Sequence, residues 1–194
     1  MITEEEILSL KSEQPREVLL MIINDVGKSN DIIGQIVRAH VWVEALIDGI
    51  IFQTHKNPKK FLRNKDFADK PSHLFKLGFI DKNYFEDLKI LNKIRNQYVH
   101  NIHPHEAALE LIEKFSSYNE AKKIFEDGGF PPADLLRKHQ ELMEKMPYYD
   151  EVKNDLNFIE NPVPTLIGAS IFGLISFRLM IYLFIVFLNP KINS

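Results

Sequence analysis

A chain of 194 residues has room for one ordinary domain, or for a slightly smaller domain with an appendage. Charged residues at 26% and hydrophobic residues at 45% exclude a disordered chain, and a formal net charge of −3 supplies no global field for nucleic acid, so any such binding needs a local basic patch. The absence of cysteine excludes a disulfide framework, a thiolate zinc site and a cysteine nucleophile.

The N-terminus is acidic, with no positive stretch ahead of an apolar run, so no cleaved signal peptide is predicted. Thr3 followed three residues later by Glu6 reads as a capping box that opens a short amphipathic helix. Pro15 suits the first turn of a second helix, ending near Gly27. A third should start at Asn30 or Asp31 and run towards His55. Its residues Ile32, Ile33, Ile36, His40, Val43, Ile47, Ile50 and Ile51 fall within about 100° of arc, the width of a core-facing stripe. A lone histidine in such a stripe is first of all a hydrogen-bonded core residue. Glu44 and Asp48, one turn apart at its edge, are either solvated or the acidic partners of a buried arginine.

From His55 to Lys76 the chain is basic. Lys56, Lys59, Lys60 and Arg63 lead this run, which is either a solvated connection or a phosphate-binding surface. The interleaved Phe61, Phe67 and Phe75 tuck the segment onto the core or offer rings for base stacking. Pro71 and Ser72 open a short helix that Gly78 closes, and Asp81 caps the next. On that helix Tyr84, Leu88, Leu91, Tyr98 and Val99 cluster within about 60°, and Arg95 falls among them. A guanidinium cannot be deprotonated, so Arg95 requires an acid, a phosphate or a solvent-lined cleft. Glu44 and Asp48 are its candidate structural partners. His100, five positions on, lies roughly 140° round an unbroken helix. Both can therefore act on one phosphate only if the helix stops near Val99, which Asn101 and Pro104 favour, or if a second copy of the chain supplies the histidine. The spacing His100-x-x-His103-x-His105 matches no strong zinc signature, and no metal site or small-molecule cofactor is predicted.

Further helices are predicted over 106–115, 118–125 and 133–146, and 147–164 reads as a linker. From Leu166 to Leu188 the chain carries a single charge, Arg178, and exceeds the roughly 20 residues needed to cross a bilayer. An arginine at mid-span costs about 2.5 to 3.5 kcal/mol, which the surrounding Leu, Ile, Phe and Val residues at about −0.3 to −0.6 kcal/mol each outweigh. The alternative is an oligomer-interface or core helix. Gly168, Ser170 and Gly173 are small enough to let two such helices approach.

The stretch Arg95-Asn96-Gln97-Tyr98-Val99-His100 resembles the R-x4-H motif of HEPN domains. Together with Gly34 to Phe52 and Ser72 to Ile80 it is similar to the mannitol-operon repressor (MtlR-like) group, over roughly residues 30 to 117. The resemblance implies an all-α helical bundle, its motif-bearing core about 30–117 within a domain over 1–146. The residue pattern adds linker 147–164 and a hydrophobic helix over 165–188 read as transmembrane, a C-terminal single-pass anchor with the main domain cytoplasmic, or an interface helix of a cytoplasmic protein. The resemblance also implies a homodimer that places two motifs at a shared cleft, acting as a metal-independent ribonuclease or an RNA-binding protein. His100 would be the acid/base group on a ribose hydroxyl, with Arg95 and Asn96 holding the phosphate charge. Lys56, Lys59, Lys60 and Arg63 would guide the RNA backbone. Other members of the family bind nucleotides or proteins without catalysis, so a regulatory or protein-interaction module is the alternative. The apolar tail departs from the MtlR-like pattern and argues against a DNA repressor, as does the absence of an evident helix-turn-helix.

Overall fold

The computed structural model describes residues 3–27, 32–100, 110–127 and 162–190. Among them every long element is helical: α1 (Glu4–Ser9), α2 (Pro15–Gly27), α3 (Ile32–Thr54), α4 (Pro58–Arg63), α5 (Asp69–Lys76), α6 (Lys82–His100), α7 (Tyr118–Asp127) and α8 (Pro162–Leu188). The protein is all-α.

Local chemistry accounts for most of the boundaries. The Thr3 side chain accepts from the Glu6 N–H, and the Glu6 carboxylate accepts from the Thr3 N–H at 2.7 Å, which satisfies two donors that the start of a helix leaves open. Pro15 begins α2, where its missing N–H is not needed. Gly78 follows α5 at a φ of 77°, a conformation that a side chain would oppose. Asp81 Oδ1 accepts from the Tyr84 N–H at 3.0 Å and caps α6.

Three boundaries differ from the sequence reading. Part of the basic connection is the helix α4, started by Pro58 at its first turn. Helix α5 begins at Asp69, ahead of Pro71, which a first turn tolerates. Helix α6 runs to His100, one residue past Val99, so the backbone from Arg95 to His100 is helical throughout. No glycine or proline lies between Arg95 and His100 to break it. Residues 101–109, which hold Asn101, His103 and His105, lie outside the described residues, as do 128–161 with the helix expected over 133–146 and most of the linker. Residues 162–164, expected in that linker, form the start of α8.

Helix α3 is the axis of the bundle and packs against α1, α2, α4, α5, α6 and α8. Ile36, Val43, Ile47, Ile50 and Ile51 are fully buried, as the stripe predicts. Ile33 is not: it is 42% exposed, because the N-terminal half of α3 is covered on fewer sides than the C-terminal half, where Leu46 is buried as well. Buried Asp87 of α6 accepts from the backbone N–H and hydroxyl of Ser116 at 2.8 and 2.7 Å, which fixes the segment leading into α7.

Helix α8 contains 18 residues, Ile171–Leu188, of mean hydropathy 2.4, long and apolar enough to cross a membrane. One face of it also completes the core. Phe172, Leu183 and Phe187 are fully buried, and α8 packs on α3 and α7. Its approach to α3 depends on Gly49, where an added Cβ would lie 2.7 Å from the Phe187 ring. Gln53 Nε2 donates to the Phe187 carbonyl at 3.1 Å, and Tyr182 stacks on Tyr84 of α6 with ring centroids 3.4 Å apart. The opposite face stays apolar and partly open: Leu174, Phe177 and Ile181 are half-buried and Ile185 is 47% exposed. Arg178 reaches out of this face to pair with Glu120 of α7.

Candidate functional site: a polar cavity at Arg95

Two helices build one wall each. On α3, His40, Glu44 and Asp48 follow at four-residue intervals and so share a face. On α6, Arg95 and Asn96 stand three and four residues after Asn92, so each neighbours it on the helix surface. Asp66, Phe67 and Ala68 from the turn before α5 close the third side, leaving a cavity of about 390 Å³ lined by His40, Glu44, Asn92, Arg95 and Asn96.

His40 is 7% exposed and its ring lies 4.2 Å from the buried Phe67 ring, so its expected place in the core is observed. The hydrogen bond expected of a core histidine is incomplete, because Nε2 has no partner among the described residues. Burial pushes the imidazole pKa below its ordinary value; Glu44 and the Asn92 side chain pull it up, while the positive charges of Arg95 and Lys70 push it down. His40 therefore favours the neutral imidazole at pH 7, with Nε2 buried and without a partner among the described residues.

Arg95 is half-buried and donates from Nη1 to Asn96 Oδ1 at 2.9 Å. Its expected partners, Glu44 and Asp48, are held by another residue. Lys70 Nζ lies 2.7 Å from Glu44 Oε1 and 2.8 and 3.0 Å from the two Asp48 oxygens. The reason is geometric: Lys70, in the first turn of α5, is buried against α3, while Arg95 leaves the core at the cavity. Burial alone would lower the Lys70 pKa, but its bonds and attraction to Asp48 and Glu44 outweigh that and raise it. Asp48 stays raised because burial outweighs the help of Lys70. The sequence places Lys70 in a solvated basic run; its burial follows only from how α5 docks.

The cavity thus combines a guanidinium, two carboxamides and a neutral imidazole with the carboxylates of Glu44 and Asp66. Such a wall can hold a singly charged phosphodiester or a polar planar group. The two acids disfavour a multiply charged anion.

The other predicted residues lie elsewhere. Lys56, Lys59, Lys60 and Arg63 are exposed, and none of them lines the Arg95 cavity. Of the interleaved phenylalanines, Phe61 lies against His55 and His73 and Phe67 against His40, whereas Phe75 is 38% exposed and stacks on Phe85. The continuous helix from Arg95 to His100 turns the backbone by roughly 140° over that interval. Among the described residues, the histidine that lines the Arg95 cavity is His40.

Sequence reasoning left out His40, Asn92 and Phe67 as members of the site. A signal was present in the four-residue spacing from His40 to Glu44 and from Asn92 to Asn96, which places polar groups one turn apart on two helices. Among the described residues no three His, Asp or Glu side chains gather as a metal site. Comparison with protein-family models, with curated proteins and with solved structures finds no match for this chain.

Proposed function

We propose that the protein is a HEPN-type RNA-binding protein that acts as a metal-independent ribonuclease when two copies associate, and that α8 tethers it to a membrane with the main domain in the cytoplasm. The observation that carries the RNA reading is the Arg95–Asn96 pair at a polar cavity, on the helix with the R-x4-H spacing. Arg95 neutralises one phosphodiester, Asn96 orients the guanidinium, and His100 of a second copy moves the proton of the ribose hydroxyl.

The expected outcome is RNA cleavage that survives EDTA and disappears in both Arg95→Ala and His100→Ala. Mixing the two inactive variants as randomly exchanging dimers should restore about a quarter of wild-type activity, since half the dimers are mixed and each holds one intact composite site. A wild type that cleaves no RNA tested refutes the catalytic reading.

A second reading has its own support. The motif's helix is unbroken and more than half of the apolar span, 56%, is buried within the bundle. Both fit a non-catalytic regulatory or protein-interaction module in which α8 is a core or interface helix. Fractionation separates the two: a tethered chain sediments with membranes and needs detergent, whereas a core helix leaves the full chain soluble without it.

A further inference from the structure

A second concavity, on the face formed by α1, α2 and α3, has a different chemistry. It encloses about 660 Å³, enough for several side chains. Its floor holds the exposed Met21 of α2 and Val41 of α3, with Trp42 beside them. The apolar surface continues along α3 through Val37 and Ile33, 39% and 42% exposed, one turn apart each. These are large apolar side chains left in solvent on one line, which a folded monomer rarely does without use.

The rim is acidic. Glu6, Glu13 and Glu17 are exposed around the opening, and among the described residues no basic side chain lines it. Asp25, the fourth carboxylate, is already satisfied: Arg38 Nη1 donates to one oxygen and Trp42 Nε1 to the other, each at 3.0 Å. That latch holds Trp42 in place at the base of the groove, so the wall is pre-formed. Glu6 also caps α1 through Thr3, and among the described residues no cation pairs with Glu13 or Glu17.

We infer that this groove docks a basic amphipathic helix of a protein partner, its apolar side chains on Met21, Val41 and Val37 and its lysines or arginines on Glu6, Glu13 and Glu17. Charge complementarity selects this occupant. A helix with an acidic polar face would meet three carboxylates, whereas lysines or arginines at helical spacing are drawn to them. The groove depends on neither catalysis at Arg95 nor the membrane span, and it acts by the helix-in-groove mode of recognition.

Trp42 is the single tryptophan of the chain and lines the groove, so its emission reports directly on occupancy. The probe is a synthetic 18-residue peptide of leucine and lysine at helical spacing, with a leucine and glutamate peptide of the same pattern as its control, titrated into the full chain. The lysine peptide should shift Trp42 emission saturably, and the glutamate peptide should not. Affinity should fall about tenfold in the Glu13→Lys/Glu17→Lys double variant, whose exposed positions leave the far-ultraviolet circular dichroism unchanged, and should fall again with added salt. The Val41→Asp variant should bind as poorly. Equal binding by wild type and the charge-reversed variant overturns the proposal, as does the absence of a saturable change. An emission change that tracks protein concentration without peptide, with dimers in sedimentation velocity, assigns the groove to a second copy and equally overturns it.

Discussion

Helices α6 and α8 both lay one face on the core of the bundle, and each carries an arginine within its span. They differ in what the other face shows. On α6 the outward positions are Lys82, Asn83, Lys89, Lys93 and Asn96, all exposed and polar, so water completes the helix and Arg95 is free to edge a cavity. On α8 the outward positions are Leu174, Phe177, Ile181 and Ile185, and Arg178, the one charge among them, pairs with Glu120. Burial of the inner face is common to both; it is the outer face that separates a helix made to carry a polar site from one made to meet a second apolar surface. A bilayer is one such surface and another protein is a second.

The sharpest test of this contrast is to remove packing from the inner face of α8. Phe187→Ala deletes a fully buried ring, and in urea unfolding of detergent-free protein it should cost about 3 to 5 kcal/mol. An effect near zero would mean that α8 has left the bundle. Lys70→Met comes next. It leaves Glu44 and Asp48 without their shared cation in a partly buried place and should cost about 2 to 3 kcal/mol, below a fully buried pair because both acids retain some exposure. Arg95→Met, whose own hydrogen bond is to exposed Asn96, should cost under about 1 kcal/mol. If Arg95→Met proves as costly as Lys70→Met, the guanidinium is a structural staple and not a site residue.

Gly49→Ala reads the same helix contact from the other side. With α8 docked, the new methyl meets the Phe187 ring and the variant should lose about 1 to 3 kcal/mol. With α8 withdrawn into a membrane, alanine instead favours the helix by about 1 kcal/mol, so the sign of the change distinguishes the two states. The pH dependence addresses the α6 cavity. His40 has a folded pKa below its ordinary 6.5, so as pH falls through 6.5 the unfolded chain takes up the proton first and stability declines. His73, also lowered by burial and by the neighbouring His55, Lys76 and Lys65, adds to the same slope. Asp48 and Asp87, raised by burial, act in the opposite sense above 3.8, because the folded state binds their protons more readily. The His40 contribution is therefore the difference between wild type and His40→Gln, which should unfold with a shallower loss between pH 7 and pH 5, on the order of 1 kcal/mol. The smallest effect belongs to Arg178→Ala, an exposed ion pair whose loss should change stability by about 0 to 1 kcal/mol.

Much of the architecture is legible in the residue pattern. The capping box at Thr3 and Glu6, Pro15 at the start of α2, Gly78 after α5 and Asp81 before α6 are local devices, and each acts through its own backbone neighbours, so no knowledge of the fold is needed to place them. The buried stripe of α3 and the length of the apolar C-terminal run follow from periodicity alone. The contents of the Arg95 cavity are not local in this way. Glu44 and Asp48 match Arg95 by charge as well as they match Lys70, and nothing in the chain ranks the two cations.

What the sequence by itself determined is therefore the longer helices, several of their caps, and which two of them carry an unusual arginine, because these depend on contacts within a turn or two. The tertiary structure decided the rest. It put Lys70 between the acids of α3, brought His40 and Arg95 to one cavity, and laid α8 against Gly49. It also carried α6 on through His100. Three of these depend on how distant helices dock, and docking turns on shape and on which charge is buried, quantities that a linear pattern does not contain.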